Sequence, residues 1–176
     1  MRRQIMTSVF AIAAMLVAVA VPALAQTKPP AQTQPKAPAQ APAQAPAQTP
    51  FGTAAEARTL LEKAVAAVRA NKAKALAMFS NGEGGFKDRD LYVACAGPDG
   101  KVTAHTNSTR IGMDRNSMTD SAGKAYGAAI TKVAAEGKIA EVGYVFPRPG
   151  ADPKPVPKVA LVTKVGDQIC TVGYYK

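Results

Sequence analysis

Leu91-Tyr92-Val93-Ala94-Cys95-Ala96, then Gly97-Pro98-Asp99-Gly100, then Lys101-Val102-Thr103-Ala104-His105-Thr106 is the stretch from which the fold is read. The first six residues alternate as a half-buried strand does. The next four are turn residues: proline presets φ, and glycine accepts a positive φ that other residues resist. The last six are β-formers that lead back, so 91–106 is expected to be an antiparallel hairpin. Upstream, Thr53-Ala54-Ala55-Glu56 has the form of a capping box, in which the Thr and Glu side chains satisfy backbone donors reciprocally. Leu61, Val65, Val68, Ala75 and Phe79 then recur at roughly helical spacing. Lys72 interrupts that stripe, so a bend or a pair of shorter helices is expected near Asn71. The polar, glycine-rich run Ser80–Gly85 ends the helical region.

Downstream of the hairpin, residues 107–120 are polar and irregular. A second helix is expected from about Ser121 to Glu136, with Tyr126, Ile130 and Val133 on its apolar face and Gly137 at its end. Three strands follow, Ile139–Phe146, Lys158–Val165 and Gln168–Tyr175. A proline-rich loop, Pro147 to Pro157, separates the first two, and Gly166-Asp167 turns between the last two. The order α, ββ, α, βββ with hairpin connections gives an α+β fold, an antiparallel sheet flanked by helices.

The N-terminal segments differ in kind. Arg2 and Arg3 precede an apolar run from Val9 to Val21, then Pro22 and Ala23-Leu24-Ala25. This is the order of a secretory signal peptide, cleaved after residue 25. The apolar run is shorter than the roughly 20 residues of a spanning helix, and no later segment is apolar enough to span. A periplasmic or secreted location is therefore expected. Residues 26–50 are almost wholly Pro, Ala, Gln, Thr and Lys, with Ala-Pro-Ala-Gln repeating from Ala37 to Gln48. Such a segment has little to bury and is expected to be a disordered linker, reaching about 75 Å as polyproline II. One domain, 51–176, remains.

The formal net charge is +10, and the folded part keeps an excess of basic over acidic residues. That suits an anionic small ligand or an anionic envelope surface. There is no basic stripe with interleaved aromatics, so a nucleic-acid partner is not expected. Cys95 and Cys170 are the two cysteines. In an oxidising compartment an even count reads as one disulfide. A metal pair or a redox pair is the weaker reading, because no CxxC spacing exists and His105 is the single histidine.

No catalytic constellation is present. His105 has no nucleophile motif to serve, no glycine-rich phosphate loop follows a strand, and the acids are scattered. Neither a cofactor nor a metal site is expected. The chemistry-bearing residues crowd the loop between the hairpin and the second helix: His105, Asn107, Arg110, Arg115, Asp120 and Lys124. Arginine offers a bidentate fork for a carboxylate, and histidine can donate to one. Tyr144 shares a strand face with Val142 and Phe146, which reads as a core position with a hydroxyl to spare.

Taken together, the pattern resembles the single Cache domain of bacterial extracytoplasmic sensors. The likeness is carried by Ala75–Phe79, Phe86-Lys87-Asp88-Arg89-Asp90-Leu91-Tyr92-Val93, Asp99–His105, Ile111-Gly112-Met113-Asp114, Asp120-Ser121-Ala122-Gly123-Lys124, Tyr144-Val145-Phe146-Pro147, Pro157-Lys158 and Val172-Gly173-Tyr174-Tyr175. The resemblance implies a PAS-like antiparallel sheet with a long N-terminal helix along it. It implies a receptor for a small molecule, often a carboxylate, with His105, Asp120, Tyr144 and Lys158 facing the ligand. In such a sheet the first and last strands are neighbours, which would bring Cys95 beside Cys170. Binding would be reported to a membrane-bound sensor or another envelope protein. The alternative is a structural or interaction module that uses the same fold without a ligand.

Overall fold

The computed structural model describes residues 50–149 and 154–176. The expected signal peptide and all but the last residue of the expected linker lie outside the described residues. Helix α1 (Ala54–Ala70) opens on the capping box: the Thr53 side chain accepts from the Glu56 amide, and the Glu56 carboxylate accepts from the Thr53 amide at 2.7 Å. That bond and the Arg89 guanidinium at 2.6 Å hold the Glu56 carboxyl down at about 2. Asn71 ends α1 and starts α2 (Lys72–Asn81), its side chain accepting from the Lys74 amide, so the expected break falls at that residue. Gly82, in the left-handed region at φ 71°, closes α2 by donating to Met78 and Phe79.

The strands are β1 (Lys87–Asp88), β2 (Leu91–Ala96), β3 (Val102–Ala104), β4 (Ala140–Pro147), β5 (Pro155–Val165) and β6 (Gln168–Tyr175). Their order is β1-β2-β6-β5-β4, with β3 also paired to β2, and every strand pairing is antiparallel. The first long strand and the last are therefore neighbours, as the resemblance implied. In their register Cys95 stands opposite Cys170, and the two form a disulfide with a Cα–Cα distance of 4.1 Å.

Strand alternation divides the sheet into two faces. Leu91, Val93, Cys95, Cys170, Val172, Leu161 and Val165 pack with Ala57, Leu61, Ala64, Val68 and Phe79 of α1 and α2 into the larger core. The opposite face carries Tyr126, Ile130, Val142, Ala160 and Val162 in a smaller core under helix α3 (Tyr126–Val133). The alternation that buries one row under α1 thus turns the other row toward the polar loop.

Four expectations are corrected. Helix α3 is half the expected length, because the Asp120 carboxylate accepts from the amides of Ala122 and Lys124 and Gly123 adopts φ 80°. This side-chain turn occupies what would have been the first helical turn. At the other end Ala134 is already extended, and the Ala135 carbonyl accepts from Lys164 of β5. Gly137 therefore stands in a separate turn, and Val133 is exposed. Strand β3 stops at Ala104, since the Asn107 amide donates to His105 Nδ1 and Asn107 caps a 3-10 turn at Ser108–Arg110. The proline-rich loop is shorter than expected, with β4 and β5 paired out to Pro147 and Pro155. Strand β1 was not expected at all, and its two residues are too few for any periodicity to show.

Candidate functional site

Between the sheet face beneath α3 and the 105–118 loop lies a small cavity of about 60 Å³. Its floor comes from alternate residues of four strands: Tyr92 and Ala94, Thr171 and Gly173, Lys158 and Ala160, Tyr144 and Phe146. Its roof comes from His105, Arg110, Arg115 and Met118, with Tyr126 and Ile130 of α3. Five of the residues singled out in the sequence, His105, Arg110, Arg115, Tyr144 and Lys158, meet here. Among the described residues no aspartate or glutamate lines the cavity.

Lys158 is the central group. It is 2 % exposed, and its ammonium sits over the rings of Tyr175 (4.3 Å), Tyr92 (5.0 Å) and Phe146 (5.4 Å). Those ring faces attract a cation without supplying a counter-charge. Burial first, and then the Arg110 charge, lower its pKa to about 8, against an opposing pull from Asp90. Opposite it across β4 and β5 stands Tyr144, whose ring stacks on Tyr126 at 4.5 Å. Burial lifts the Tyr144 hydroxyl well above its ordinary pKa, so it stays a neutral donor.

Gly173 makes this arrangement possible. A methyl group there would lie 2.6 Å from Lys158 Cε and 3.3 Å from the Tyr144 hydroxyl. Glycine leaves room for the lysine stem to lie against β6.

The loop contributes donors from above. Arg115 follows Asp114, which caps the 3-10 turn Arg115–Ser117. Its Nη2 donates to the Ile169 carbonyl at 2.8 Å, while Nη1 is buried with no hydrogen-bond partner among the described residues. Burial lowers its pKa to about 10, so it remains charged at neutral pH. Arg110 lies over the Phe146 ring at 5.3 Å and donates to the Tyr126 hydroxyl at 3.4 Å. His105 is neutral: burial, Arg110 and Lys158 together push it down to about 4. Its Nδ1 accepts from the Asn107 amide at 2.8 Å, which places the remaining proton on Nε2 as a donor. The site is thus a small space surrounded by cations and neutral donors.

Asp120 and Lys124 are placed elsewhere. The Asp120 carboxylate accepts from the Val145 amide as well as from Ala122 and Lys124, and these bonds lower its pKa. Lys124 Nζ donates to the Gly143 carbonyl. Both side chains lash the loop to β4, and they line a second, open hollow that shares Tyr144 and Lys158 with the cavity. Asn107 turns back on its own loop, accepting from Thr109.

Tyr92, Met118, Tyr126 and Gly173 were missed as cavity residues. Alternation on β2 and β6 is the signal that would have found Tyr92 and Gly173, once the helix-facing row was known. Tyr126 was legible only as an apolar helix position.

Among the described residues no group of three or more His, Cys, Asp or Glu could hold a metal ion. No helix among them is long and apolar enough to cross a membrane. Solved structures share the fold, among them two chemotaxis proteins. One is a methyl-accepting chemotaxis protein from Vibrio parahaemolyticus, 17% identical, with 69% of this chain and 86% of that chain covered and a TM-score of 0.56. The other is the periplasmic sensor domain of a chemotaxis protein, 22% identical, with coverage of 68% and 87% and a TM-score of 0.50. No curated protein matches the chain. The sequence pattern of the family described as Single Cache domain 2 matches residues 42–174. With that match, the two-faced sheet and the cavity beneath the loop, this chain belongs to the single Cache domain 2 family of sensory, ligand-binding domains.

Proposed function

We propose that this chain is an extracytoplasmic receptor whose ligand is a small organic oxyanion, a carboxylate of a few carbons. One observation carries the reading: Lys158, Arg110 and Arg115 converge on a cavity that no carboxylate lines. Lys158 and Arg115 are buried, and Asp90, a buried carboxylate outside the cavity lining, compensates Lys158 only in part; an anionic ligand supplies the rest. His105 Nε2 and the Tyr144 hydroxyl add neutral donors for its second oxygen. The small volume restricts the ligand to few atoms. The N-terminal Arg2-Arg3, apolar run and Ala-Leu-Ala order support placing this receptor outside the cytoplasm.

Calorimetric titration of the full chain with acetate and propionate tests the proposal. Lys158→Gln is expected to weaken binding by about 10- to 100-fold, the range for losing a hydrogen bond to a charged group. Equal affinity in wild type and K158Q, or no binding by wild type of any small carboxylate, contradicts it.

A pH series adds a second expectation. The binding form of Lys158 is protonated, and an anion beside it raises the depressed pKa back toward its ordinary value. Affinity should therefore be fully present below about pH 8. Above that it should fall by up to about tenfold per pH unit. Between pH 5 and 7 it should stay flat, because His105, at about 4, is already neutral there. A steep change between pH 5 and 7 would assign the site to a titrating histidine instead.

A further inference from the structure

The sheet face that floors the cavity does not end at its edge. Along β2, Tyr92 and Ala94 are followed on the same face by Ala96. Along β6, Gly173 and Thr171 are preceded on it by Ile169. Ala96 and Ile169 line a second, larger cleft of about 360 Å³, which the turn at Gly97–Gly100, Lys164 and Asp167 bound. The two spaces are consecutive along one surface, and Arg115 lines both.

Arg115 thus stands at the boundary between the two spaces, beside Ile130 and Thr131 of α3, which line one space each. Arg115 is held across the face from both ends. Its amide donates to the Gly100 carbonyl at 2.9 Å, and its Nη2 reaches the Ile169 carbonyl at 2.8 Å. It is 5 % exposed, and its Nη1 has no hydrogen-bond partner among the described residues. A purely structural arginine at this depth would be expected to satisfy both terminal nitrogens, because an orphaned buried donor costs free energy. The spare donor fits a group that pairs with an oxyanion while its stem closes the space behind.

We infer that Arg115 sets the size of the ligand: it walls the small cavity off from the cleft, so only acids of a few carbons fit, and its removal joins the two spaces. This rests on the oxyanion reading of the cavity. The cleft beyond the wall offers Ala96 and Ile169, apolar surface on which the alkyl tail of a longer acid would lie.

Titration of the full chain with propionate and hexanoate, in wild type and two variants, tests the inference. Thermal unfolding of each variant establishes that it is folded. Wild type should prefer propionate by about 30-fold or more, within the range for methylenes that a pocket cannot accommodate. Arg115→Ala, which removes the wall, should bring the two acids within about fivefold of each other or reverse the order. Arg115→Met, similar in length but uncharged, should keep the preference for propionate while weakening both acids about tenfold. If R115A does not fold, R115Q replaces it, being two bonds shorter than arginine and still polar. Wild type binding hexanoate as well as propionate overturns the inference, as does an unchanged preference in the wall-removing variant. Either result leaves the oxyanion site standing. Wild type binding no acid of any length overturns that reading, and the inference with it.

Discussion

Replacing Cys95 and Cys170 together by alanine is expected to lower the unfolding free energy by about 4 kcal/mol, the chain-entropy value for a closed loop of this length. The bridge spans 75 residues of sequence, so the reduced chain has a large ensemble to regain. It also joins β2 to β6, the pairing on which both faces of the sheet depend, at a position where the two residues are directly opposed. For a domain of this size the loss corresponds to a fall of about 15 °C in the unfolding midpoint. Thermal and urea unfolding of wild type and the double variant check this. A loss below about 1 kcal/mol would mean that the unfolded chain is already compact around the same pair.

Gly127→Ala is expected to cost about 3 kcal/mol, the upper end for overpacking, and to take ligand binding with it. A methyl group there would lie 1.7 Å from the Arg115 carbonyl oxygen and 3.2 Å from Met118 Cβ. The nearest atom is backbone, so no rotamer change relieves the clash, and α3 must move off the Arg115 turn. The helix carries Tyr126 and Ile130, and the turn carries Arg115, so the roof of the cavity separates as the fold weakens. Gly143→Ala is the control: nothing lies within 4 Å of its added methyl group. Unfolding free energies from denaturant titration of the two variants should differ by most of the 3 kcal/mol. Equal stability would show that α3 is not pinned by this contact.

The parts of the fold legible in the sequence are those that local chemistry determines. The capping box at Thr53, the break at Asn71 and the turn at Gly97–Gly100 each depend on a few adjacent residues, and each stands where their chemistry puts it. The length of α3 was misjudged because a tertiary bond decides it. Asp120 is held by Val145, 25 residues away, and so shapes a turn where the alanine-rich sequence favours a helix. The site divides in the same way. Lys158 and Tyr144 are placed by strand alternation, which is a local rule once the buried face is known; His105, one residue past the end of β3, is held by the Asn107 amide. Among the loop residues Arg110, Arg115, Asp120 and Lys124, equal polarity gave no means of telling which point inward. That difference comes from which carbonyls and amides of β4 and β6 the loop meets, Gly143 and Val145 on one side and Ile169 on the other.

A crystal structure of the full chain grown with propionate tests the central claim most directly. The account predicts the carboxylate inside the cavity, its oxygens within about 3.2 Å of Lys158 Nζ and of at least one arginine nitrogen, the range of charge-assisted hydrogen bonds. Propionate bound elsewhere on the surface, or a cavity that stays closed over Lys158 at saturating ligand, would contradict it.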